Sequence, residues 1–136
     1  MMVNNETGAV QPVAEMARMA HDAGALAHTD AVQAFGHIDV NPAELGVDLI
    51  SISAHKIGGP VGIGALWVRR GVNLAPITAG GMQQAQVRSG TQAVMLARGF
   101  AAAARQAVEN LDRDRAQWQT WHDAIVAEVG GLPGRW

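Results

Sequence analysis

Four short apolar runs alternate with stretches of helical spacing, and this alternation constrains the fold more than any other feature of the chain. Met1-Met2-Val3 reads as the end of a buried strand, Ala25 to Thr29 as a short buried strand ending at Asp30, and Asp48 to Ser53 and Gly64 to Arg69 as a third and a fourth strand. Between the first two, Pro12 opens a helix through Ala23, with Val13, Met16, Ala20 and Ala23 on one face and Gly24 as the stop. Asp30 to Phe35 and Pro42 to Leu45 read as short helical turns, and Gly71 to Arg88 as loop. Ser89 or Thr91 is placed to cap a long helix reaching about Arg113, with Val94, Ala97, Ala101, Ala104, Val108 and Leu111 as its apolar face. A second helical stretch carries Trp118, Trp121, Ile125 and Val129 at the same spacing, where the tryptophans read as core or interface. Strands alternating with helices predict an α/β architecture with a mainly parallel sheet, flanking helices, and long helices at the C-terminal end.

Several function classes are excluded or disfavoured. A net charge of −2 offers no basic footprint for nucleic acid. No apolar run is long enough to span a membrane, and the first residues lack a signal-peptide pattern, so the expected location is the cytoplasm. The 136 residues contain no cysteine, which removes disulfides, thiolate metal sites and thiol nucleophiles. His21, His28, His37 and His122 show no metal-ligand spacing, so no metal is expected. Gly58-Gly59-Pro60-Val61-Gly62-Ile63-Gly64 is followed by a strand and matches no nucleotide loop. Its glycines are expected to turn tightly and to let backbone pass close to a ligand.

Lys56 is the only lysine; nine arginines carry the remaining positive charge. It is either a solvated loop residue or an amine kept because arginine cannot form an imine. Its neighbours bear on the choice. In a parallel α/β sheet the C-terminal ends of strands line the ligand crevice, which brings Asp30, Gln33, Ser53, His55 and Lys56 within reach of one another. Amine, carboxylate, hydroxyl, imidazole and amide are the groups that pyridoxal 5'-phosphate (PLP) requires. The amine binds the aldehyde, the carboxylate holds the proton on the pyridine nitrogen, and the hydroxyl and imidazole suit the phosphate.

Asn4-Asn5-Glu6-Thr7-Gly8, His28-Thr29-Asp30-Ala31-Val32-Gln33, Ser51-Ile52-Ser53-Ala54-His55-Lys56 and Arg88-Ser89-Gly90-Thr91 resemble, in order and spacing, the cysteine desulfurases. These are class V aminotransferase-like enzymes of PLP fold type I. The resemblance implies that residues 1–91 form the central part of a PLP-binding large domain, and that 92–136 form helices leading toward a C-terminal domain. It implies that Lys56 is the cofactor lysine and later moves protons at the substrate α-carbon. It implies that Asp30 partners the pyridine nitrogen and that Ser53 and His55 bind the phosphate. Gln33 and Asn5 then lie near the cofactor hydroxyl and the substrate. Thr91 reaches the phosphate of the neighbouring subunit in a homodimer, with Arg88 beside it. The substrate so implied is L-cysteine, and a sulfur-acceptor protein is the further partner. The family often has a bulky aromatic at the place of Gly58 or Gly59 and a lysine near Val61; this chain has neither.

The same resemblance marks what is not found here. The family has an earlier phosphate loop and a ring-stacking histidine, then a later carboxylate-binding arginine and a catalytic cysteine. The strand-like start at Met1 and the close at Gly130-Gly131-Leu132-Pro133-Gly134-Arg135-Trp136 lead us to expect a truncated chain. The expectation is therefore a desulfurase-type PLP protein, inactive alone. The alternatives are a non-catalytic fragment or interaction module, or another class V enzyme such as a selenocysteine lyase or an aminotransferase.

Overall fold

The computed structural model describes residues 1–130; the expectation for the stretch beyond Gly130 lies outside the described residues. Helix α1 (Val13–Asp22) follows Pro12, whose fixed φ and missing N–H suit a helix entrance. Strand β1 (His28–Asp30) comes next, then helix α2 (Pro42–Leu45). The side chain of Asn41 caps α2, accepting the Ala43 N–H at 3.1 Å. Strand β2 (Leu49–Ser53) runs straight into a 3₁₀ turn at Ala54–Ile57, and strand β3 (Gly64–Val68) follows. A 3₁₀ turn at Gln84–Gln86 precedes two long helices, α3 (Val94–Glu109) and α4 (Leu111–Gly130).

The sheet has the order β1-β2-β3. β1 and β2 are parallel, as expected, with Asp30 opposite Ser51, but β2 and β3 are antiparallel. The expectation of a mainly parallel sheet is thus met by one strand pair, and the sheet is mixed. The connection explains this: residues 54–63 are fewer than the roughly dozen a parallel crossover needs. Met1 to Val3 forms no full strand. The Met2 N–H donates to the Asp30 carbonyl at 2.7 Å, and Val3 bridges Val10.

The core lies on one face of the sheet. Val13 and Ala17 of α1 pack there with Met2, Ala27, Ala31, Ala34, Val47 and Ile50. On α1 the predicted face holds at Val13, which is buried, and at Ala20, which packs against the core, but Met16 is 58% exposed and Ala17 is buried in its place. The α3 face shifts by one position. Val94 and Val108 are exposed, whereas Phe100 and Ala103 are buried. Alanines on several sides of each helix leave two helical registers with similar apolar content, so spacing alone does not choose between them.

Neither Ser89 nor Thr91 caps α3; the helix begins at Val94 without a side-chain cap. The Ser89 hydroxyl is engaged with Thr78 Oγ1 at 3.0 Å instead. The predicted single helix to Arg113 is broken at Asn110, where α4 begins its own course. Trp118 of α4 packs against the His37 ring with centroids 5.3 Å apart, and Arg115 reaches Asp39 at 3.3 Å. Trp121 is 57% exposed and joins no core among the described residues. No helix among the described residues is long and apolar enough to cross a membrane.

Candidate active site

β1 and β2 deliver the site because they are adjacent, parallel and in register. Asp30 ends β1 opposite Ser51, and Ser53 lies two residues further along β2 on the same face. Beyond Ser53 the chain enters the 3₁₀ turn holding His55 and Lys56. The carboxylate of Asp30 and the turn bearing Lys56 therefore leave the same edge of the sheet, as strand ends do in ligand-binding α/β folds.

The individual side chains are placed as follows. Asp30 is half-buried; its Oδ1 accepts the Val32 N–H at 2.8 Å, which closes the turn after β1. Its Oδ2 has no hydrogen-bond partner among the described residues. Gln33 is half-buried in that same turn. The Ser53 hydroxyl and His55 Nδ1 are hydrogen-bonded at 2.7 Å, so these two groups act as one polar unit. His55 and Lys56 are exposed, and Lys56 has no ion-pair partner among the described residues. The turn itself is held by the buried Ala54 beneath them and ends at Gly58, whose φ of 77° suits glycine.

Other candidates are not drawn into contact with this cluster. Asn5 is exposed in the 4–8 turn, and it is Asn4 that organises that turn, its Oδ1 accepting the Glu6 and Thr7 N–H groups at 2.9 Å each. The hydrogen bond from Met2 to Asp30 brings this segment alongside β1. Thr91 and Arg88 are exposed in the loop before α3; Arg88 donates to the Gly90 carbonyl at 3.3 Å. Two surface cavities of about 400 and 510 Å³ lie elsewhere, one around Phe35 and Val108, the other around His21, Trp67 and Arg69. The glycines after Lys56 also do something the sequence reading did not anticipate. Gly59 lies against Ala103 of α3, not against open space reserved for a ligand.

Sequence reasoning also missed Asp48, at the opposite end of β2. It is wholly buried. One oxygen accepts the Ala27 N–H at 2.7 Å and the His21 Nε2–H at 2.8 Å; the other accepts Arg69 at 2.7 Å. The Ala27 N–H, then His21, hold its carboxyl well below the usual carboxylate range; burial opposes them, and Arg69 adds to them. The only signal in the sequence was an acidic residue opening an otherwise apolar run.

The family model described as aminotransferase class-V matches residues 1–130. The chain is 42% identical over 129 residues to the cysteine desulfurase IscS of Dictyoglomus turgidum, covering 95% of this chain and 33% of that protein. It is 47% identical over 130 residues to the mitochondrial cysteine desulfurase of Saccharomyces cerevisiae, covering 93% and 26%. Among solved structures, a NifS-like protein from Rickettsia africae superposes with a TM-score of 0.92 at 34% identity, covering 97% of this chain and 37% of that one. DndA from Streptomyces lividans superposes with a TM-score of 0.87 at 38% identity, covering 99% and 39%. The chain spans about a third of the length of the curated relatives it matches.

Proposed function

The chain belongs to the class-V aminotransferase family, and from that premise we propose that it supplies the lysine, carboxylate and phosphate-binding groups of a PLP site of cysteine desulfurase type. One observation carries this reading. Parallel, adjacent β1 and β2 send a carboxylate and the chain's only lysine off the same sheet edge. The donor set fits the cofactor: an exposed amine for the aldehyde, a carboxylate oxygen without a partner among the described residues, and a linked hydroxyl–imidazole pair for the phosphate.

PLP, when bound, supplies an electron sink for a carbanion at an amino acid α-carbon. The residues do the rest. Lys56 would hold the cofactor through its aldehyde and would move a proton at the substrate α-carbon. Asp30 keeps a proton on the pyridine nitrogen. Ser53 and His55 hold the phosphate, while Gln33 and Asn5 border the ring and the substrate. Thr91, exposed before α3, serves the phosphate of a second subunit, with Arg88 alongside. L-cysteine is the substrate of this reading, and a separate protein receives the sulfur.

No residue of these 136 can accept that sulfur, since none is cysteine. We therefore assign the chain no sulfur transfer on its own, which favours the non-catalytic reading for these residues in isolation. The expected result is no sulfide release from L-cysteine above that of free PLP. Lys56-dependent sulfide release would overturn that part.

The cofactor part is tested separately. The chain is incubated with PLP, reduced with borohydride and digested, and the peptides are weighed. One phosphopyridoxyl group is expected on the peptide containing Lys56. An Asp30→Asn variant should still be labelled at saturation but hold PLP about tenfold more weakly, the scale of one charge-assisted hydrogen bond. Absence of label on that peptide, with the far-ultraviolet spectrum of a folded chain, rejects the reading.

A further inference from the structure

The Lys56 turn and the link after it pack against helix α3, with small residues at the points of closest approach. Ala54, the inner residue of the turn, is fully buried. Its N–H donates to the Ile63 carbonyl at 3.2 Å, and its carbonyl accepts the Gly59 N–H at 2.9 Å. The link that follows then runs along α3 at near-backbone contact. A methyl group placed on Gly59 would lie 3.2 Å from Ala103 Cβ and 2.9 Å from the Ala54 carbonyl oxygen. One placed on Gly99 would lie 3.1 Å from Pro60. At the other end of the turn, a methyl on Gly36 would meet Ile57 at 2.7 Å and Ala107 at 3.1 Å. Gly99, Ala103 and Ala107 are four residues apart and share one face of α3.

Such a seat has no slack. Volume added at Gly59, or at Ala103 toward Gly59, meets the Ala54 carbonyl oxygen and two methyl groups, none of which can swing aside as a flexible side chain would. The turn and α3 must then shift against each other, and Lys56 rides on the turn. We propose that Ala103 and Gly59 are positioning residues for Lys56, so that the packing of α3 sets where the amine stands relative to Asp30 and the Ser53–His55 pair. The proposal rests on the assignment of Lys56 as the cofactor lysine. It also gives the glycine-rich link a role: it is the surface through which α3 fixes the turn. A ligand held covalently at one point and by hydrogen bonds at others is sensitive to such a shift, since a displacement of about 1 Å can cost about a hundredfold in a reacting geometry.

The test exploits the single lysine. Reductive methylation with a ¹³C label gives one lysine resonance, distinct from that of the N-terminal amine. In Ala103→Leu that resonance should shift and the PLP half-saturation concentration should rise about tenfold or more. Ala102→Leu, on an exposed position of the same helix, should change neither. Ala103→Ser, which adds little volume, should stay close to the parent in both. Where Ala103→Leu fails to fold by far-ultraviolet circular dichroism, Gly59→Ala delivers a smaller push at the same contact and takes its place. An unmoved Lys56 resonance and unchanged PLP affinity in a folded variant overturn the proposal. A parent chain that takes no PLP sinks the functional reading instead, and the methyl resonance alone then decides whether α3 positions the turn.

Discussion

Lys56→Ala is expected to abolish covalent capture of PLP, taking the borohydride-fixed label from one group per chain to none. The size of the effect follows from chemistry. An imine needs a primary amine that can lose its proton, and Lys56 is the only lysine in the sequence. The sole other amine is the N-terminus, so residual label has one place to go and can be located by mass. Lys56→Arg separates the two roles a cationic side chain can have. If Lys56 merely attracted the phosphate, arginine would retain most of the affinity. If it binds the aldehyde, arginine fails as fully as alanine. Neither change should unfold the protein, because the side chain is exposed and has no ion-pair partner among the described residues. Surface substitutions of this kind typically shift stability by no more than about 0.5 kcal/mol. Label that persists undiminished in Lys56→Ala would remove Lys56 from the cofactor assignment altogether.

What the sequence made legible, and what it hid, divides along physical lines. Elements bounded by local chemistry were readable: Pro12 and Gly24 around α1, the short turn Pro42 to Leu45 that is α2, the strand ends at Asp30 and Ser53. That Asp30 and the turn bearing Lys56 leave the same end of the sheet was readable because a parallel strand pair places both ends together, and only the order of strands was needed. Helix faces rich in alanine were not. α3 buries a set displaced from the predicted one and α1 exchanges Met16 for Ala17, since alanine carries too little apolar contrast to fix the register. The antiparallel β3 was hidden in the length of a link, not in the composition of a strand. The contact between Gly59 and Ala103 was hidden for another reason: small residues permit close approach, but sequence does not say what approaches. Asp48 was the least visible, because its three partners lie 21 to 27 positions away along the chain.

That buried carboxylate carries the largest expected effect on stability. Asp48 joins four elements at the end of the sheet remote from Lys56: the last turn of α1 through His21, the approach to β1 through Ala27, β2 itself, and the exit of β3 through Arg69. Asp48→Asn keeps the shape but replaces an acceptor oxygen by an amide N–H. Every neighbour there is a donor, so that N–H faces donors and Arg69 loses its counter-charge. Removing one partner from a buried ion pair is among the costlier single changes, and a midpoint lower by about ten degrees or more is expected. The pH dependence gives a second, independent signature. The folded carboxyl is held below its unfolded value, so its contribution is fully present above about pH 5 and fades as pH falls and the folded state too takes up the proton. The gap between parent and Asp48→Asn should therefore be widest near neutral pH and narrow in acid. Arg69→Gln should cost less, because Arg69 is half-exposed and water can replace part of what it loses. A gap of constant size from neutral pH to about pH 3 would mean that the charge of Asp48 is not what binds these four elements. A midpoint unchanged in Asp48→Asn would mean that the hydrogen-bond geometry alone suffices.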